Sequence, residues 1–230
     1  MGISRTGSRA ALTVALFVAC VCVATQAGAQ SGSVTGMVTT KAAGARPFRV
    51  TIDQRVCGTE LPDEAIVAGA AGQLANAVVT LVGVKADAAA PNGMILNEKC
   101  RFAPRVQIVR PHAAITTSST DPILHTTNAQ IDGGKVLFNV AVPLPGIKIK
   151  KAVAAAGLVR LSCNTHPWMR GWMVVTDEAT AITGADGRFT LSGVPPGSYE
   201  LRVWHESLKG ASQRITVVAG QPVSVHFDVK

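Results

Sequence analysis

Apolar and polar positions alternate with a period of two along much of the chain, and no long stretch keeps the 3.6-residue period of an amphipathic helix. Residues 34–54 read as short strands around a turn rich in Gly and Ala, residues 76–82 as a strand ending at Gly83, and residues 85–93 as a loop. Residues 102–109 set Phe102, Val106, Ile108 and Val109 against Ala103, Arg105 and Gln107, the signature of one half-buried strand that Pro111 ends. A polar stretch at 116–121 leads to His125, and the turn Asp132-Gly133-Gly134 precedes a strand at 135–142. Strands at 157–163 and 172–176 flank a compact loop, residues 164–171.

A second unit begins near Asp177. The turn Gly184-Ala185-Asp186-Gly187 feeds a strand at 188–191, Pro195-Pro196-Gly197 makes a tight turn, and residues 199–204, 214–218 and 223–229 alternate again. The pattern predicts an all-β chain with a large unit over residues 30–176 and a small β-sandwich over 177–230. About fifty-five residues is little for a self-sufficient core, so the small unit is expected to pack on the large one. A doubly wound parallel sheet is not supported.

The 230 residues include 22 Gly, 12 Pro and only ten aromatics, which suits strands and turns and excludes a helical bundle. The first 29 residues stand apart. Arg5 and Arg9 precede an apolar run over residues 10–24, and Ala27-Gly28-Ala29 supplies the small residues of a cleavage site, so residues 1–29 read as a secretory signal peptide with the mature chain starting at Gln30. Val18-Ala19-Cys20 is only a loose imitation of a lipidation site. The expected location is therefore the periplasm or the extracellular space. No later run approaches the ~20 apolar residues of a membrane span.

The formal charge of +8 falls to +6 without the signal, from 20 basic and 14 acidic residues. With no block of like charge and no basic stripe interleaved with aromatics, nucleic acid is not an expected partner. A moderate positive field suits an acidic protein instead.

Three cysteines remain after the signal is removed: Cys57, Cys100 and Cys163. In an oxidising compartment an odd count asks which thiol is spared. One reading is a Cys57–Cys100 disulfide across the long connection, with Cys163 held back for chemistry; the other is an arbitrary pairing that leaves one buried structural thiol.

The stretch CNTHPWMRG, residues 163–171, places a thiol, an imidazole and a thioether within seven positions between two strands. Cys163 and His166 can converge on one metal ion, Met169 can approach along the remaining axis, and His125 can be the donor from across the sandwich. Two imidazoles, a thiolate and a weak thioether suit a single copper ion cycling between Cu(I) and Cu(II). Met173 is the alternative axial residue and His112 an alternative ligand or a neighbour of the ligands. Trp168 is placed to cover the site or to present an apolar patch to a partner, with Trp172 adding to it. His205 is placed for a hydrogen bond across the interface between the units, and His226 alternates to a solvent-facing position on a terminal strand. No HExxH, GxSxG or phosphate-binding loop is present, and no His-x-His pairs exist for a trinuclear oxidase, so an enzyme is not expected.

The segment CNTHPWMRGWMVV, with the upstream STDPILH, resembles the bacterial plastocyanin-like cupredoxins. The resemblance covers roughly residues 98–176 and implies a cupredoxin-like Greek-key β-sandwich with His125, Cys163, His166 and Met169 as copper ligands. The spacer between His166 and Met169 is two residues, where plastocyanins commonly have four. The tail TGADGRFTLSGVPPGSYELRVWHE resembles the carboxypeptidase regulatory-like domain, a transthyretin-like sandwich without catalytic residues. Together these imply an exported, monomeric blue-copper protein carrying single electrons to or from an unidentified redox protein of the cell envelope. The alternative is a noncatalytic envelope binding or structural module whose cupredoxin scaffold holds no functional copper.

Overall fold

The computed structural model describes residues 1–2, 30–86 and 92–230. Of the signal-peptide reading over residues 1–29, residues 3–29 lie outside the described residues, as do residues 87–91 of the expected 85–93 loop. The first third of the chain holds β1 Gly32–Thr40, β2 Phe48–Arg49, one helical turn α1 Gln54–Cys57, β3 Glu60–Leu61 and β4 Val78–Lys85. The middle holds β5 Gly93–Glu98, β6 Arg101–Ala103, β7 Val106–Val109, β8 Ala114–Ser119, β9 His125–Ile131, β10 Lys135–Val142, β11 Ile149–Ala152, β12 Gly157–Ser162 and β13 Arg170–Val175. The last part holds β14 Glu178–Ile182, β15 Arg188–Val194, β16 Gly197–Trp204, β17 Ala211–Val217 and β18 Pro222–Val229. No helix among the described residues is long and apolar enough to cross a membrane.

These strands form two β-sandwiches. The first combines a five-stranded sheet, β10-β9-β12-β13-β7, with a four-stranded sheet, β11-β8-β5-β6. The chain passes between the two sheets at the steps from β6 to β7, β7 to β8, β8 to β9, β10 to β11 and β11 to β12. Its core is one buried group that includes Ile95, Phe102, Ile115, Ala129, Ile131, Val159, Leu161 and Met173.

The alternation at 102–109 breaks where one strand was expected. Pro104 offers no N–H to a ladder, and the chain there leaves β6, paired with β5, for β7, which runs parallel to β13 in the other sheet. The polar stretch before His125 is in part strand β8, with Thr117, Ser118 and Ser119 all buried. Its polarity is satisfied internally: Thr117 Oγ1 meets Thr127 Oγ1 at 2.9 Å across the sandwich, and Asn97 Nδ2 donates to the Ser118 carbonyl at 2.7 Å.

The second sandwich corrects the expected boundary at residue 177. One of its sheets has the order β15-β1-β18 and the other β14-β4-β16-β17. The N-terminal strand β1 lies between two C-terminal strands, parallel to β18 through Val34↔Val223 and Thr40↔Val229. Likewise β4 lies between β14 and β16. Residues 177–230 supply only five strands, which leave both sheets open in the middle. Val34, Val38, Val79 and Leu81 fill those gaps and join Phe189, Leu201, Ile215 and Phe227 in one core. The small unit is thus completed by strands assigned from sequence to the large one.

Between β1 and β4 the chain leaves this sandwich for the other. Val50 and Cys57 are buried in the core of the first sandwich, and Phe48, Val56 and Leu61 pack against it. The two sandwiches meet through Arg105, whose Nε and Nη2 reach the Glu206 carboxylate at 2.6 and 2.8 Å, and through Trp172 packed edge-on against Trp204 at 5.3 Å.

Candidate metal centre

His125 opens β9, where every second residue is buried: His125, Thr127, Ala129 and Ile131. Strand alternation therefore sends its imidazole inward rather than to solvent. β12 pairs with β9 through Leu161↔Ala129 and Ser162↔Asn128, so the next residue, Cys163, comes level with the start of β9. β12 and β13 form an antiparallel pair that closes at Ser162↔Arg170, confining residues 163–169 to a short loop over the sandwich end. That loop is folded on itself: the Cys163 N–H donates to the Met169 carbonyl at 3.4 Å and the Met169 N–H to the His166 carbonyl at 3.0 Å.

This arrangement brings His125, Cys163 and His166 together, with one ligand atom from each lying within 4.8 Å of the others, and all three are buried. The two imidazole centroids are 4.7 Å apart, and Cys163 Sγ lies 3.6 Å from His166 Nδ1. Each outer ring nitrogen meets a carboxylate. His125 Nε2 donates to Asp121 Oδ2 at 3.0 Å, and His166 Nε2 to Asp53 Oδ2 at 3.0 Å. In the neutral form of each ring those bonds place the proton on Nε2, which leaves Nδ1 as the nitrogen that could hold a metal. His125 Nδ1 is buried with no hydrogen-bond partner among the described residues, the kind of orphan that a ligand satisfies.

Cys163 is the free thiol, and the disulfide joins Cys57 to Cys100, as one of the two sequence readings had it. Burial by itself pushes the Cys163 thiol upward. The imidazoles of His125 and His166 beside it, the Thr126 N–H donating at 3.3 Å and the Thr126 hydroxyl at 3.6 Å outweigh it and bring the pKa down to about 4. A thiol lowered this far gives up its proton readily to the thiolate, the form that binds metal. Burial likewise pushes the His166 imidazolium down, but hydrogen bonds to Cys163 and Asp53 and their negative charges turn the net shift upward.

Among the other expected residues, Met169 and Met173 are both buried in the core of this sandwich. Trp168 covers the site as expected. It is buried, its ring lies 5.2 Å from that of His166, and its Nε1 donates to the Cys100 carbonyl at 3.1 Å. Trp172 does not join it, because β13 directs that side chain to Trp204 in the second sandwich. His112 is exposed in a turn and outside the cluster. His205 is buried, with Nδ1 accepting from the Ser207 N–H at 3.3 Å within its own loop, while its neighbour Glu206 makes the contact across the interface. His226 is exposed, as alternation predicted.

Asp53, Asp121 and Thr126 were not anticipated. Asp121 stands four residues before His125 in the quoted STDPILH stretch, so a search for a carboxylate near each histidine would have found it. Asp53 lies 113 residues from His166 and leaves no local signal. A second close group, Cys100, Asp121 and His125, offers no thiolate because Cys100 is in the disulfide.

Residues 173–230 match the carboxypeptidase regulatory-like domain family. Among solved structures, the chain is similar to a purple cupredoxin from Nitrosopumilus maritimus at 20% identity, over 37% of this chain and 100% of that one, with a TM-score of 0.33. It is similar to a reduced tryptophan-to-tyrosine variant of amicyanin at 19% identity, over 43% and 98% of the two chains, with a TM-score of 0.34. A copper-containing nitrite reductase from Thermus scotoductus SA-01 is similar at 19% identity over 41% of this chain and 24% of its own, with a TM-score of 0.32. No curated protein matches the chain.

Proposed function

We propose that this protein is an exported, noncatalytic, monomeric copper protein that passes single electrons to or from a redox protein of the cell envelope. The observation that carries the reading is the buried His125/Cys163/His166 group with both Nε2 atoms held by carboxylates. Two imidazoles and a thiolate, with Met169 as a weak thioether donor, would form a donor set that suits copper in both oxidation states. A copper ion bound there would supply a one-electron Cu(I)/Cu(II) couple.

The protein's own residues account for the rest. Thr126 donates to the Cys163 sulfur beside the two imidazoles, Asp53 and Asp121 orient the imidazoles through Nε2, and Trp168 keeps water from the site. Donors anchored in a strand pair and a short closed loop move little when the charge between them changes, which favours electron transfer. The carboxypeptidase regulatory-like segment is read as an accessory sandwich that orients the first.

The test is a Cu(II) titration of the chain from Gln30, followed by visible absorption and metal analysis. One copper per chain with an intense thiolate charge-transfer band supports the reading. Absence of both moves the protein to the alternative, an envelope binding module in which Cys163 is a packing residue.

A further inference from the structure

We propose that the Cys57–Cys100 disulfide is the hub of a clamp with two arms, each of which positions one imidazole through a carboxylate; this rests on the copper reading and extends it beyond the ligands. The first arm starts at Cys57. That residue ends the single turn α1, and the N–H groups of Val56 and Cys57 both donate to the Asp53 carbonyl at 2.9 Å. Asp53 itself stands in the left-handed region at φ 51°, which turns its side chain out of the helical path and onto His166 Nε2. The half-open Asp53 carboxylate, 39% exposed, is what lies between the fully buried His166 and solvent on that edge.

The second arm starts at Cys100. β5 and β6 pair at Glu98↔Arg101, so Lys99 and Cys100 form a two-residue hairpin turn with positive φ at both positions, 51° and 56°. Such turns normally use Asn or Gly, and two residues with side chains there store strain. Asp121 holds the turn in place, accepting the Lys99 N–H on Oδ1 and the Cys100 N–H on Oδ2, both at 2.8 Å. The same Oδ2 accepts from His125 Nε2. The Cys100 carbonyl meanwhile anchors Trp168 against the face of His166.

One covalent bond therefore ties together the groups behind both histidines. It also fixes the site's cap to a segment that departs from β1 and returns to β4, strands of the second sandwich. The first arm is the detachable one. Beyond the disulfide, residues 48–61 hold to the first sandwich by Phe48, Val50, Val56 and Leu61 and by the Asp53–His166 bond, while the two-residue ribbon between β2 and β3 pairs the segment only with itself.

The experiment follows the His166 and His125 Nε2–H protons by NMR in the metal-free, 15N-histidine-labelled chain from Gln30. In the wild type both exchange slowly with solvent. Asp53→Ala is expected to speed exchange at His166 severalfold, because the Nε2 proton loses its acceptor and its cover from solvent, and to leave His125 unchanged. Asp53→Asn, whose amide oxygen still accepts, restores slow exchange. Cys57→Ala/Cys100→Ala speeds exchange at both rings, and unchanged exchange at either ring overturns the hub; should that variant not fold, the same two protons are followed in the folded wild type with its disulfide chemically reduced. Equal His166 exchange in wild type and Asp53→Ala overturns the clamp, as does equal acceleration at both rings in Asp53→Ala, which a merely structural role would give. Since no metal is present, this result is separate from the copper titration, whose failure would instead overturn the reading that the clamp serves.

Discussion

Arg105 grips Glu206 with two nitrogens across the junction of the sandwiches, and both side chains are nearly buried, 10% and 5% exposed. Truncating one partner strands the other as an uncompensated buried charge. Arg105→Ala is therefore expected to cost about 3–5 kcal/mol in chemical denaturation, the usual range for breaking a buried pair. Replacing both, as Arg105→Met/Glu206→Leu, should recover most of the loss. A loss under about 1 kcal/mol for the single variant would mean that the pair behaves as a solvated surface bridge.

His205, next to Glu206, is buried, and burial holds its imidazolium below the ordinary value of 6.5. Nearby Glu206 pushes upward and Arg105 downward, so the net direction is set by desolvation. The folded chain resists the proton that the unfolded chain accepts below 6.5, so stability is full above that value and declines as pH falls beneath it. His205→Gln should flatten the decline of stability between pH 6.5 and 5. An unchanged slope would show that His205 takes up its proton as readily in the folded state.

At the metal centre the variants separate binding from tuning. Cys163→Ser removes the thiolate and with it any intense charge-transfer absorption on Cu(II) addition. Met169→Leu removes only a weak thioether donor, so copper stoichiometry is retained and the midpoint potential rises, as Cu(II) loses more stabilisation than Cu(I). If Met169→Leu leaves the potential where it was and Met173→Leu shifts it, Met173 is the axial residue.

The site was more legible than the fold around it. Cys163, His166 and His125 are brought together as the spacing of CNTHPWM and the isolated upstream histidine implied, because a short loop and one strand end carry all three. Local pattern could also identify the individual C-terminal strands. It could not show that their sheets are incomplete: the pairing of Val34 with Val223, or of Val79 with Val203, joins residues more than a hundred positions apart and leaves no periodicity to read. Asp53 was hidden for the same reason. The break at Pro104 was visible as a residue but was overridden by the alternation on both sides of it.

That discontinuity makes a prediction about fragments. Residues 177–230 contain β14 to β18 but lack β1, which bridges β15 and β18, and β4, which bridges β14 and β16. Without them the row of N–H and C=O groups on each flanking strand is unpaired, and Phe189, Leu201 and Phe227 lose the apolar faces of Val34, Val38, Val79 and Leu81. Expressed alone, the fragment is expected to show no cooperative thermal transition and to aggregate through its open edges. Adding a peptide of residues 30–42 should not rescue it, since β4 is still missing; a fusion that joins residues 30–86 directly to the fragment, whose ends meet where the Ala86 N–H donates to the Asp177 carbonyl, should fold. A cooperative melt from residues 177–230 alone would mean that five strands close a core by themselves, and β1 and β4 would then be additions to a complete domain rather than the middle of each sheet.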